Sequence, residues 1–190
     1  MNKHLFLLPG LCTFCALGTS CEDDETPKIH YASSNGSIVD GYFTSDNMHF
    51  YGTATVTDEN GNSFSDEEAW FEFAGDRETL TIYMHATRFA AAMPALDMRI
   101  HRMPYTPGQG AALSFSAPST VPQVRLPNAE GGGYSYQDMP SYTLTKVEGS
   151  VADVVCRMAF NCAMPNMGTF RMATEGRLIP NDGFNKHIRD

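Results

Sequence analysis

The chain has few basic residues. In 190 residues, 13 Lys and Arg stand against 22 Asp and Glu, for a formal net charge of −9. No run of Lys or Arg occurs. Clustered cations are what hold a phosphate backbone, so nucleic acid is excluded as a partner class. Charged residues of both signs together are only 18% of the chain. No window of roughly 11–18 residues carries helical periodicity. The 16 Gly and 11 Pro residues favour turns and short strands over long helices. Beyond residue 20 there is no HExxH, CxxC, GxSxG or Gly-rich phosphate loop, so no catalytic, metal or cofactor site is expected. Gly131-Gly132-Gly133 lacks the Lys that follows in a phosphate loop and reads as a plain loop.

Cysteine is equally sparse, and its placement is informative. Of five Cys residues, Cys12 and Cys15 lie in the first 20 residues, Cys21 follows them, and only Cys156 and Cys162 come later. Residues 1–20 read as a signal peptide. Lys3 gives a positive start, and a mostly apolar run over 5–17 follows. That run is shorter than the ~20 apolar residues needed to span a bilayer. Leu17-Gly18-Thr19-Ser20-Cys21 resembles a lipobox, with a small residue before the Cys and the Leu four positions ahead of it. Cleavage before Cys21 would leave an N-terminal Cys for acylation. The alternative is an ordinary signal peptide cut near Ser20, with Cys21 a free thiol. Several acyl chains, at ~0.8 kcal/mol per buried CH₂, hold a protein to a membrane far better than one chain does.

Removing residues 1–20 leaves 12 basic and 22 acidic residues. Four of the acids, Glu22-Asp23-Asp24-Glu25, directly follow the lipid site. Such a run stays solvated. It resembles the acidic export signal that carries lipoproteins of Bacteroides-type bacteria to the outer face of the outer membrane; the plain alternative is an acidic tether. Residues 21–47 are expected to form this tether, with one short strand near 38–43, and residues 181–190 a C-terminal tail.

From residue 48 the pattern is period-2. Leu80, Ile82, Met84 and Ala86 alternate with Thr79, Thr81, Tyr83, His85 and Thr87. Leu96, Met98 and Ile100 alternate with Asp97, Arg99 and His101. Val154, Cys156, Met158, Phe160, Cys162 and Met164 make one apolar face, and Phe170 and Met172 another. Turn clusters recur at 58–62, 75–77 and 165–168. Residues 104–133 read as a long Pro- and Gly-rich loop with one strand near 111–117. Two Cys six positions apart in one strand are ~20 Å apart, beyond the ~7 Å a disulfide allows. Cys156 and Cys162 are therefore expected as buried apolar residues. The pattern predicts an all-β fold over 48–180, an antiparallel up-and-down barrel of about eight strands or, alternatively, a β-sandwich.

Three stretches carry a family resemblance: Tyr51-Gly52-Thr53-Ala54-Thr55-Val56, Leu80-Thr81-Ile82, and Ala163-Met164-Pro165-Asn166-Met167-Gly168-Thr169. Together they resemble the calycin-like lipoprotein domain of Bacteroides-type bacteria, across residues 48–179. The resemblance implies a lipocalin-like eight-stranded barrel and brings no catalytic residues with it.

Adjacent Asp66, Glu67 and Glu68 near a turn read as solvated, and His85 and His101 are not expected to meet: the turn after 87 places His85 opposite residue 97. Met84, Met98, Met158 and Met172 fall on core faces, where Met either packs or lines an adaptable apolar cavity. The expected function is a non-catalytic, membrane-anchored binding protein on the outer surface, with a small apolar ligand in the barrel. The alternative is an interaction subunit or inhibitor with a protein partner. A glycan-acting enzyme is the third option. The lipid site Cys21 is the one residue assigned a specific role.

Overall fold

The computed structural model describes residues 36–179 except Ser45, Ala92 and Glu130, and of Glu68 only the backbone. The signal peptide, Cys21, the acidic run and residues 181–190 lie outside the described residues. A short hairpin comes first, β1 (Ile38–Val39) and β2 (Tyr42–Phe43). Four long strands follow: β3 (Met48–Thr57), β4 (Ser63–Gly75), β5 (Thr79–Thr87) and β6 (Leu96–Pro107). Then come β7 (Ala112–Thr120), β8 (Gln123–Pro127) and β9 (Tyr134–Asp138). A 3₁₀ turn at Pro140–Tyr142 leads into β10 (Leu144–Ala152), β11 (Val155–Met164) and β12 (Gly168–Leu178).

Eight of these strands close a barrel. The ring runs β3-β4-β5-β6-β7-β10-β11-β12 and returns to β3, all antiparallel. Apart from the β8–β9 hairpin, ring order is chain order, so this is an up-and-down meander. A closed ring leaves no edge to protect, which suits a chain with little helix propensity and many turns. The architecture is compatible with a calycin-like fold.

The turns form where short polar side chains replace backbone partners. Asp58 Oδ1 accepts the backbone N–H groups of Asn60 and Asn62, each at 2.8 Å, and Gly61 takes φ +83°. Asp76 Oδ1 does the same for Glu78 and Thr79, at 2.8 and 2.9 Å. Residue 36 enters at the end carrying the 76–78 and 108–111 turns. That end is called proximal and the other distal.

Inward side chains fill the barrel. Phe50, Phe73, Leu80, Ile82, Met98 and Leu144 each expose 0% of their surface. Phe73 bridges the interior, 5.2 Å from Phe50 and 5.9 Å from Phe115 between ring centroids. Phe115 in turn lies across Gly149, where a Cβ would collide with its ring. Both ends are plugged. Ile38 and Phe43 of the proximal hairpin, within the stretch expected as tether, are buried in the core. Phe43 N–H donates to Tyr105 Oη at 3.0 Å, whose hydroxyl donates to the Asp76 carbonyl at 2.8 Å. At the distal end Phe89, 1% exposed, packs 6.4 Å from Phe170.

Several expectations need correction. Residues 104–133 are not one long loop: β6 continues to Pro107, β7 spans nine residues, and β8 forms a hairpin with β9. Ala86 is exposed and Thr87 buried, the reverse of strict alternation. The cause is a bulge at Ala86, whose φ is +49°. Matching bulges at Arg102 (φ +53°) and Lys146 (φ +51°) shift Met103 and Val147 inward. Val154 belongs to the β10–β11 turn and is 44% exposed, not part of the core face.

Candidate functional site

Outward residues of the ring divide into two unlike sides. Across β10, β11 and β12 the outside carries Glu148, Arg157, Ala159, Ala173 and Glu175 around a shallow depression of about 420 Å³. Across β3 to β6 it carries aromatic and ionisable side chains in register. Cross-strand pairing places His49 beside Glu72, Glu72 beside Tyr83, Tyr83 beside Arg99, Arg99 beside Gln123 and Gln123 beside Asp138. One residue pair along, Tyr51 stands beside Trp70 and Trp70 beside His85. The chain's single Trp and four of its eight Tyr (Tyr51, Tyr83, Tyr134 and Tyr136) lie on this side.

The β8–β9 hairpin makes this face larger than the barrel wall. Pairing with β6 involves Met98–Val124 and Arg99–Gln123, while the β8–β9 ladder runs on to Pro127–Tyr134. The hairpin therefore projects past the distal end of β6. It sets Tyr136 edge-on against Tyr83 at 5.8 Å and places the Arg99 guanidinium 4.4 Å over the Tyr136 ring. Arg125 lies 4.9 Å over Tyr134, which is 62% exposed.

Two polar chains fix these side chains. Arg99 Nε donates to Gln123 Oε1 at 2.6 Å, and Gln123 Nε2 donates to Asp138 Oδ1 at 2.8 Å. Arg125 Nη1 lies 3.4 Å from Asp97 Oδ2, and Asp97 Oδ1 accepts the N–H of the bulged Ala86 at 3.0 Å. His85 sits between Asp97 and Glu72, at 4.0 and 3.3 Å, and Asn47 Nδ2 donates to Glu72 Oε1. The rings of Tyr51, Trp70 and His85 stack in parallel, with centroids 5.7 and 3.7 Å apart. Their faces cover one another, and Trp70 Nε1 is buried. Burial lowers the pKa of His49, with Glu72 opposing and His85 reinforcing the shift. Burial, with Asp97 and Tyr83 beside it, pushes the Tyr136 phenol up to about 12. Both groups stay neutral near pH 7.

The residues singled out from sequence separate. His85 does face residue 97, and His101 lies elsewhere, exposed, its Nδ1 3.3 Å from Thr81 Oγ1. Asp66 pairs with Arg88 at 2.9 Å over the distal mouth, and Glu67 is exposed. Cys156 and Cys162 are both buried and unpaired in β11. Met84, Met98, Met158 and Met172 are all core residues. No group of three or more His, Cys, Asp or Glu suited to a metal occurs among the described residues.

The barrel interior offers little space where it can be probed. A ligand-sized void would appear as accessible area on its walls, and Phe50, Phe73, Leu80, Ile82, Met98 and Leu144 have none. Beneath Asp66 and Arg88 the space is about 10 Å³, on the order of one water. Depressions of about 380 and 430 Å³ lie at the β6–β7 seam and beside Val39 and Tyr42. The sequence signal for the aromatic face was the shared parity of 70 and 72, 83 and 85, and 97 and 99. Hairpin residues Arg125, Tyr134 and Tyr136 gave none. No family model, curated protein or solved structure matches the chain. The class it belongs to is thus defined by architecture, a closed eight-stranded antiparallel barrel.

Proposed function

We propose that this chain is a surface lipoprotein of the outer membrane, of the calycin-like type of Bacteroides-like bacteria, acting as a non-catalytic binding protein. Cys21 carries the acyl chains, and the acidic run after it holds the barrel away from the membrane. The recognition surface is the aromatic face of β3–β6 continued onto β8–β9, and the partner is a macromolecule. The observation that carries this reading is a cluster of Trp, Tyr and Arg outside a filled barrel, its rings held by stacking and cation–π contacts and its Arg groups by hydrogen bonds. These residue types dominate binding energy at protein interfaces. Side chains already held in place lose little entropy on binding. A small apolar ligand in the barrel would need a cavity, and the burial of the inward side chains, none of the core more than 8% exposed, favours the interaction reading instead.

The test is cross-linking on intact cells. Wild type is compared with Arg99→Glu/Tyr136→Ala on the aromatic face and with Arg157→Glu on the opposite side. A partner adduct lost only in the first variant is the expected result; adducts identical in all three forms would refute the assignment. Mass spectrometry of the mature N-terminus checks the anchor, with a triacylated or diacylated Cys21 expected and an unmodified one counting against it.

A further inference from the structure

We infer that the aromatic face engages its partner by strand addition: an extended, basic polypeptide segment pairs with the free edge of β9. The inference rests on the proposed role of that face and names the form its partner takes. Closing the ring uses both edges of every ring strand over part of its length, but the ten-stranded sheet does not end in the ring. It ends at β9, which pairs with β8 on one side and with no described strand on the other. In an extended strand successive residues point their N–H and C=O groups to opposite sides, so one parity of Tyr134–Asp138 offers unpaired donors and acceptors.

Natural edges are usually blunted by Lys, Pro or a bulge. Tyr134-Ser135-Tyr136-Gln137-Asp138 contains no Lys or Pro, and its register with β8 is unbroken over five pairs. The strand sits on a hairpin projecting past the distal end, opposite the end at which residue 36 enters. An incoming strand would therefore dock beyond the distal end of β6.

Charge selects the partner. The chain carries −9 overall, so its long-range field draws cations. At the edge, Asp138 is exposed and, among the described residues, Gln123 engages its Oδ1. Tyr136 and Tyr134 precede it at alternate positions on the same face of β9. Their rings are held from the barrel side by Arg99 and Arg125. Main-chain bonds would supply affinity and alternate Lys or Arg side chains the specificity, as in other strand-addition complexes. A second copy of this chain is disfavoured. A two-fold axis at β9 would bring together two chains that each carry −9 overall, and like charges repel.

The test uses the full mature chain and a fluorescent peptide alternating Lys and Thr, read by anisotropy. Two comparison peptides carry N-methyl groups on one or the other parity of backbone amides, and a third replaces Lys with Glu. The Lys peptide is expected to bind, one N-methyl parity to weaken it about tenfold or more and the other little, and the Glu peptide to bind about tenfold more weakly. Asp138→Lys should weaken the Lys peptide about fivefold, with an unchanged melting temperature. Binding that ignores both N-methyl parities, equal binding of the Glu peptide, no binding, or a concentration-dependent β9-mediated dimer would each overturn the inference. If the peptide fails while cellular adducts still require Arg99 and Tyr136, strand addition falls and the face remains. If both fail, the face falls as well.

Discussion

Ala86 holds the site's least comfortable backbone. Its φ of +49° puts an L-residue in the left-handed region, at a cost of roughly 1–2 kcal/mol. The bulge turns Thr87 into the core while His85 stays on the outer face between Glu72 and Asp97. Glycine adopts this conformation freely but loses about 0.5–1 kcal/mol more chain entropy on folding. Ala86→Gly is therefore expected to stabilise the barrel by about 0.5–1 kcal/mol, seen as a higher urea midpoint at unchanged slope. A lower midpoint would show that the methyl group contributes packing that outweighs its strain. The two thiols make a second residue-scale case. Burial alone pushes Cys162 up to about 12 and Cys156 higher still. Neither forms thiolate near neutral pH, so a maleimide should react with them at a rate limited by unfolding. Labelling of the folded chain as fast as in denaturant would contradict their burial. This much was readable in advance, because a strand's period-2 geometry fixes both the shared face and the separation of positions 156 and 162.

At the scale of elements, the barrel depends on the two plugs. Phe89 lies in a connection, yet it is only 1% exposed and packs on Phe170 with Phe64 beside it. Phe89→Ala is expected to cost about 3 kcal/mol, near the low end for a buried Phe because the distal rim can relax. Equilibrium unfolding measures this, and a loss below about 1 kcal/mol would mean that the plug does not seal the barrel. The elements that sequence analysis missed share a physical cause. β6 hides its length because Arg102 bulges and resets the alternation. β7 contains Pro118, placed opposite the Lys146 bulge, where no ladder pair forms. β9 has no fully buried residue on either face and only Tyr136 is half-buried, so no apolar period exists to detect. β11 and β12, buried on one face throughout, were legible to within a residue or two. The aromatic face was hidden for the same reason as β9: outward residues answer to neighbours across strands, and pairing across β6, β8 and β9 requires the elements that could not be seen.

The whole molecule couples this face to folding through charge. His49 points outward from β3, yet is 8% exposed, and its burial keeps the folded imidazole neutral below the ordinary value of 6.5. Glu72 pulls in the opposite direction and His85 adds to the lowering. In the unfolded chain His49 takes up its proton as pH falls through 6.5, whereas the folded state does not until lower pH. The unfolded state then binds more protons, so stability falls on acidification from about pH 7 toward 5. Asp58 and Asp76 act in a separate window. Turn hydrogen bonds hold both below 3.8 in the folded state, so their contribution is present above 3.8 and is lost as pH falls through the folded values. Urea midpoints measured from pH 7.5 to pH 2 should therefore fall in two stages. His49→Gln should remove the upper stage and leave the lower one unchanged, while Asp58→Asn should diminish only the lower. An upper stage that survives His49→Gln would mean that another group takes up its proton on unfolding in that window. A midpoint that rises between pH 7 and 5 would mean that the folded state takes up the proton; if the protonated group lies on the outer face, that face would then be charged at mildly acidic pH and its preference for a cationic partner would weaken there.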